Sequence, residues 1–135
     1  MTKLPILDVL IIGGGPAGLS AALTLGRQRH TVIVFDSERY RNDPSESFHL
    51  IPSWDRKSPE GFRASARLEL GTYDTVQIKT CEVVSVAKSD DGHFEATDVL
   101  GTSYSGRKLI LVKGVYEIFP DISGYRECWG NSMYV

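Results

Sequence analysis

The chain has 135 residues and a mass of 14.9 kDa, with 15 Lys and Arg against 17 Asp and Glu, a formal net charge of −2. That length suits one domain, and the near-neutral balance argues against a nucleic-acid binder, which shows a basic surplus. With 41% hydrophobic and 24% charged residues, 13 glycines and 6 prolines, the composition is neither disordered nor collagen-like. Cys81 and Cys128, with 46 residues between them, form neither a Cys-x-x-Cys pair nor a zinc set. Reduced thiols in the cytoplasm are therefore expected, and no metal site is. The apolar stretch from Leu4 to Leu25 is shaped like a signal peptide, but Asp8 and Gly13-Gly14-Gly15-Pro16 interrupt it. Neither a targeting segment nor a membrane span is expected.

Residues 6–12 form a continuous aliphatic run of strand length, as in a strand buried on both faces of a parallel sheet. Glycines follow, and Pro16 sits where its missing N–H costs nothing, near the first turn of a helix. Leu19, Ala22, Leu23 and Gly26 give that helix one apolar stripe. Residues 31–36 predict a second buried strand ending in Asp36, which completes a βαβ unit. Residues 37–57 carry no period and hold Pro44 and Pro52; a loop this long signals function or disorder. Ser58 is the expected N-cap of a helix reaching about Leu70. Val76–Ile78, Val83–Ala87, Phe94–Thr97 and Leu109–Val112 predict strands, with turns at Asp90-Asp91-Gly92 and Leu100-Gly101-Thr102. Residues 116–135 look irregular.

Gly13-Gly14-Gly15-Pro16-Ala17-Gly18 is G-x-G-x-x-G, weak alone but here set between a strand and a helix, with Asp36 18 positions beyond Gly18. Gly13 makes the tight turn, Gly15 admits a pyrophosphate to the backbone, and Gly18 allows close helix–strand packing. The N–H groups at the helix start bind the diphosphate, helped by the helix dipole. Asp36 would accept hydrogen bonds from a ribose diol and repel a 2′-phosphate, which favours FAD or NAD over NADP. The alternative, glycines that only make a tight turn, stays open at this point.

The segment Val9-Leu10-Ile11-Ile12-Gly13-Gly14-Gly15-Pro16-Ala17-Gly18-Leu19-Ser20-Ala21-Ala22 resembles the N-terminus of thioredoxin-reductase-like flavoproteins. It is similar in particular to the fungal subgroup typified by the gliotoxin dithiol oxidase. Phe35-Asp36-Ser37 with Arg41-Asn42, Phe48-His49 before Pro52, and Glu82-Val83-Val84-Ser85-Val86 extend the resemblance. So do Arg107-Lys108-Leu109-Ile110-Leu111 and the stretch from Phe119-Pro120-Asp121-Ile122 to Cys128-Trp129-Gly130. The resemblance implies FAD, with the diphosphate at Gly13, Gly15, Pro16, Ala17 and Gly18 and the adenosine ribose at Asp36 beside Ser37. It also implies flavin-side contacts from the loop around Arg41, Asn42 and His49, and main-chain adenine contacts near Val83. Pattern and resemblance together predict a Rossmann-like FAD/NAD(P)-binding three-layer α/β fold, a parallel sheet plus a β-meander. Residues 1–135 are expected to be a single domain, the truncated N-terminal half of a thioredoxin-reductase-type FAD domain.

Departures from the family pattern shape the functional expectation. The redox-active Cys-x-x-Cys would begin about where the sequence ends, and the NADPH domain and the second half of the FAD domain are not in it. Val112-Lys113-Gly114 stands for the family's Ala-Thr-Gly, Ser123-Gly124 for Pro-Gly, and Ser53 for a glycine after Pro52. An open flavin pocket with exposed apolar surface follows, to be covered by a second copy or a complementing flavoprotein chain.

His49 is either a flavin-side hydrogen-bond group, a general base, or a loop histidine packed among Phe48, Leu50 and Ile51. His30 is expected to face the helix C-terminal carbonyls, and His93 to be solvated. Arg39 reads as a solubilising charge and Arg41 as near the cofactor, while Trp54 and Trp129 either stack on a ligand or pack in a core or interface. The functional expectation is a FAD-binding oxidoreductase acting on a small molecule in secondary-metabolite biosynthesis, without dithiol exchange. The alternatives are a non-redox homologue (a cyclase, isomerase or binding protein), half of a split enzyme, and a gene fragment without a role.

Overall fold

The computed structural model describes residues 4–129. Its elements are β1 (Leu7–Ile12), α1 (Pro16–Arg27), β2 (Val32–Asp36), α2 (Pro59–Leu70), β3 (Val76–Thr80), β4 (Val83–Lys88), β5 (Phe94–Asp98), β6 (Ser103–Leu111) and a short α3 (Tyr125–Cys128). The sheet order is β3-β2-β1-β6-β5-β4. β3, β2, β1 and β6 run parallel, while β6, β5 and β4 form an antiparallel meander.

All of β2 and the centre of β1 are buried, which is why their sequences run apolar without alternation. On one face Val9, Ile11, Val32 and Val34 meet Leu19 and Ala22 of α1 and Leu70 of α2. On the other Leu10, Ile33 and Phe35 meet Ala96 of β5, with Tyr104 of β6 packed alongside. The Phe35 and Tyr104 rings meet edge to face at 5.1 Å. The three layers are therefore helices, parallel sheet and meander.

β6 makes the third layer possible by changing partners. Its first residues, Ser103 to Gly106, pair with β5, and from Gly106 to Leu111 it pairs with β1. A Cβ on Gly106 would stand 2.5 Å from Leu10 Cγ, so the position tolerates no side chain. The strand expected over Leu109–Val112 thus starts at Ser103. Its polar first half carries no apolar signal because its backbone, paired with β5, holds it in place.

Asp8, the charge that interrupts the first apolar run, ties three segments together. Its carboxylate accepts from Thr31 N at 2.9 Å, Thr31 Oγ1 at 3.0 Å and Arg107 at 2.7 Å. Those bonds, the Thr31 amide's foremost, hold its pKa below the usual carboxylate range. His30 belongs to the same cluster, its Nδ1 3.7 Å from Asp8, while its N–H donates to the helix carbonyl Leu25 O at 3.1 Å, as expected. His93 is half-buried rather than solvated, its Nδ1 3.1 Å from Asp91. Ser58 caps α2 as expected, accepting from Gly61 N at 3.0 Å. Within the segment expected to be irregular lies α3; residues 130–135 are outside the described residues.

Lys79 of β3 reaches across to β5, 3.1 Å from Asp98, and to the Tyr104 hydroxyl. Asp98 is buried and also accepts from Leu100 N and Thr102 N, each at 2.9 Å. Burial pushes its pKa up, but the two N–H groups and the Lys79 ammonium outweigh that, and the pKa is lowered. A folded-state pKa below the unfolded value gives stability present above about pH 4 and lost as pH falls through the folded pKa. Melting curves across the acid range are expected to show a shallower loss of stability for Asp98→Asn than for the parent chain. An unchanged acid limb would count against the account.

Candidate functional site

The glycine turn lies at the carboxyl end of β1. Gly13 has φ 123°, and its N–H donates to Phe35 O at 2.9 Å. A Cβ there would sit 2.2 Å from Val112 O, and one on Gly18 would sit 1.8 Å from Gly13 O. These two glycines let strand and helix close on each other. Gly15, the N-cap of α1, is extended, with φ −77° and ψ −174°, and a Cβ on it would meet nothing within 4 Å. The fold leaves room for a side chain at that position, so the backbone there is open to approach from outside. The first turn of α1 bears no acidic side chain and starts at Pro16, so no acid of the helix itself offsets the positive end of its dipole.

Asp36 ends β2 beneath this turn, 1% exposed. A Cβ on Gly14 would lie 2.2 Å from its Cγ. Its Oδ1 accepts from Glu38 N at 2.8 Å, and its Oδ2 from the Tyr40 hydroxyl at 2.5 Å and from the Arg67 guanidinium. Burial, then the hydrogen bond to Asp36 and its charge, push the Tyr40 pKa up to about 12. Burial works against the Arg67 charge, but Asp36 overcomes it and raises that pKa too. Nothing in the local sequence marks either residue for this role. The available signal was Arg63 and Arg67 four apart on one helix. Arg63 lies over the Tyr40 ring at 3.7 Å and donates to Asp43 at 3.0 Å and Asn42 at 3.4 Å.

The remaining predicted site residues are spread more widely. Ser37 is exposed directly after Asp36. Arg41 pairs with Glu117 at 2.6 Å, and Arg39, read as merely solubilising, pairs with Glu82. Asn42 is held by Arg63. Val83 opposes Asp98 at the start of β4, where the register shifts before Ser85. His49 has a 63% exposed side chain, with Nδ1 3.5 Å from Asp55 and Nε2 3.4 Å from Ser47 Oγ. Glu38, Leu50, Ser53 and Arg56 in this loop all have positive φ, a strain that collects at functional segments. Trp54 packs edge to face on Phe62 at 5.5 Å, and Phe62 likewise on Phe48 at 5.4 Å. Trp129 packs on Phe119 at 5.1 Å. A cavity of about 260 Å³ between the helices and the loop is lined by Leu19, Leu23, Trp54, Phe62, Ala66 and Leu70. Among the described residues, no group of three or more His, Cys, Asp or Glu side chains could hold a metal ion.

A glycine turn at the carboxyl edge of a parallel sheet, an open helix N-terminus and an acid on the neighbouring strand define a dinucleotide-binding domain. Residues 7–134 match the pyridine nucleotide-disulphide oxidoreductase family, and the chain belongs to it. It is 48% identical over 132 residues to the thioredoxin reductase aclD of Aspergillus oryzae, covering 96% of this chain and 42% of that protein. It is 49% identical over 135 residues to the thioredoxin reductase tcpT of Claviceps purpurea, covering 98% of this chain and 42% of that one. The crystal structure of an oxidoreductase from Agrobacterium tumefaciens superposes with a TM-score of 0.88 at 36% identity, covering 94% of this chain and 43% of that chain. The chain thus spans about two fifths of the length of these relatives. The family's cofactor is FAD, and the open approach at Gly15 beside a buried acid fits it.

Proposed function

We propose that this chain is the FAD-binding part of a thioredoxin-reductase-like oxidoreductase that acts on a small molecule in secondary-metabolite biosynthesis, in the cytoplasm. The open backbone at Gly15 carries the reading, because an unhindered helix N-terminus in this setting suits a diphosphate and little else. Gly13, Gly15, Pro16, Ala17 and Gly18 would hold the diphosphate, Asp36 with Ser37 the adenosine ribose, and the main chain at Val83 the adenine. Arg41, Asn42 and His49 would serve the flavin side. When bound, FAD supplies the two-electron chemistry. Cys81 is a poor substitute for a redox thiol: burial pushes its pKa up, and the nearby Lys79 charge does not reverse this.

Leu111, Val115, Tyr116, Ile118 and Ile122 are all exposed, Ile118 to 95%. That apolar stretch supports a second copy, or a complementing flavoprotein chain, as a partner. No helix among the described residues is long and apolar enough to cross a membrane.

The test is the visible spectrum of the purified chain with the flavin released on denaturation. Near-stoichiometric FAD is expected. No flavin, even after incubation with excess FAD, would overturn the oxidoreductase reading for this chain alone.

A further inference from the structure

We infer that residues 113–117 form a strap across the carboxyl edge of the sheet, buckled by Arg39 and Arg41, which opens for a dinucleotide to enter or leave. The inference rests on the FAD reading above, since the glycine turn that the strap crosses is the place assigned to the diphosphate. β1 lies between β2 and β6, and all three run parallel. The segments that follow them therefore leave the sheet at one edge. Val112, next after β6, stays beside the turn, its N–H donating to Ile12 O at 2.9 Å. By Tyr116 the chain has passed the end of β1 and reached the loop after β2. There the Tyr116 hydroxyl accepts from Arg39 at 3.3 Å, and Glu117 Oε1 accepts from Arg41 Nε at 2.7 Å and lies 2.6 Å from its Nη2.

The strap is held chiefly at its buckle. Val115, Tyr116 and Ile118 are exposed, so burial adds little to keep it down. Gly114, at φ 73°, supplies a hinge between the anchored Val112 and the buckle. Arg39 also pairs with Glu82, just beyond the end of β3, so it keeps its place when Tyr116 lets go. An exposed ion pair favours the joined form by roughly fivefold at most. The strap therefore slows exchange of the cofactor without blocking it.

Stopped-flow flavin fluorescence tests this, following FAD association with the full chain and its release into excess ADP. Glu117→Gln and Tyr116→Phe weaken the buckle and leave both arginines in place, so a flavin-side contact of Arg41 is untouched. Association and release are expected to quicken together, by about threefold in Glu117→Gln and about twofold in Tyr116→Phe, with affinity within about twofold of the parent's. A change of charge alone acts otherwise: loss of the Glu117 carboxylate would speed the approach of an anion without speeding its release. A change in one rate alone, or no change in either variant, would overturn the strap while FAD binding stands. A parent chain that takes up no FAD would overturn the FAD reading and this inference with it. Should Glu117→Gln fail to fold, Tyr116→Phe, which alters no charge, decides the matter alone.

Discussion

Gly15→Asp is expected to abolish FAD binding, a loss of about 100-fold or more, while the chain stays as stable as the parent. The two halves of that expectation have separate physical origins. Gly15 is extended, and a Cβ on it would meet nothing within 4 Å, so the fold has room for the new side chain. At an N-cap, Asp accepts from the first-turn N–H groups and suits the helix dipole, which leaves stability equal or improved by a few tenths of a kcal/mol. The same carboxylate fills the space a diphosphate must enter and puts like charge against it. Fluorescence titration with FAD beside thermal melts checks both halves. A variant that keeps FAD affinity within about threefold, well under the cost expected of like charges, would show that the cofactor does not approach at Gly15.

Gly18→Val is expected to do the opposite. Three positions along the same motif, a Cβ would stand 1.8 Å from Gly13 O and 3.0 Å from Gly13 C. Both atoms are backbone, so no rotamer change relieves the clash, and strand and helix must part. The expected cost is about 3 kcal/mol or more, a large share of the roughly 5–15 kcal/mol that holds a domain together. Urea unfolding followed by circular dichroism measures it. A midpoint equal to the parent's would refute the claim that Gly18 exists for close packing.

The parts legible in the sequence are those where one local pattern decides the outcome. The apolar runs of β1 and β2, the Gly13–Gly18 turn and the Ser58 cap each follow from neighbours in the chain. The illegible parts depend on distant partners. Tyr40 and Arg67 acquire a role only when α2 lies across the end of β2, and Asp8 only when Thr31 and Arg107 converge on it. Half of β6 is invisible for the same reason: Ser103 to Gly106 are strand because β5 pairs with them. The ion pair of Arg41 with Glu117, 76 residues on, is hidden in the same way. No spacing rule reaches that far.

The placement of β1 between β2 and β6 has a consequence for the order in which the chain can assemble. Asp8 meets Thr31 23 residues away and Arg107 99 residues away. The longer closure costs only roughly 1 kcal/mol more in loop entropy, so the final state hardly registers it. The timing does. During synthesis from the N-terminus, β1, α1, β2 and β3 can dock early, but one edge of β1 and the Leu10 face stay bare until residues 103–111 emerge. That interval leaves an unpaired, aliphatic strand edge in water, the condition under which chains stick to one another. Arrival of β6 ends it by closing the sheet edge and covering the second face in one event.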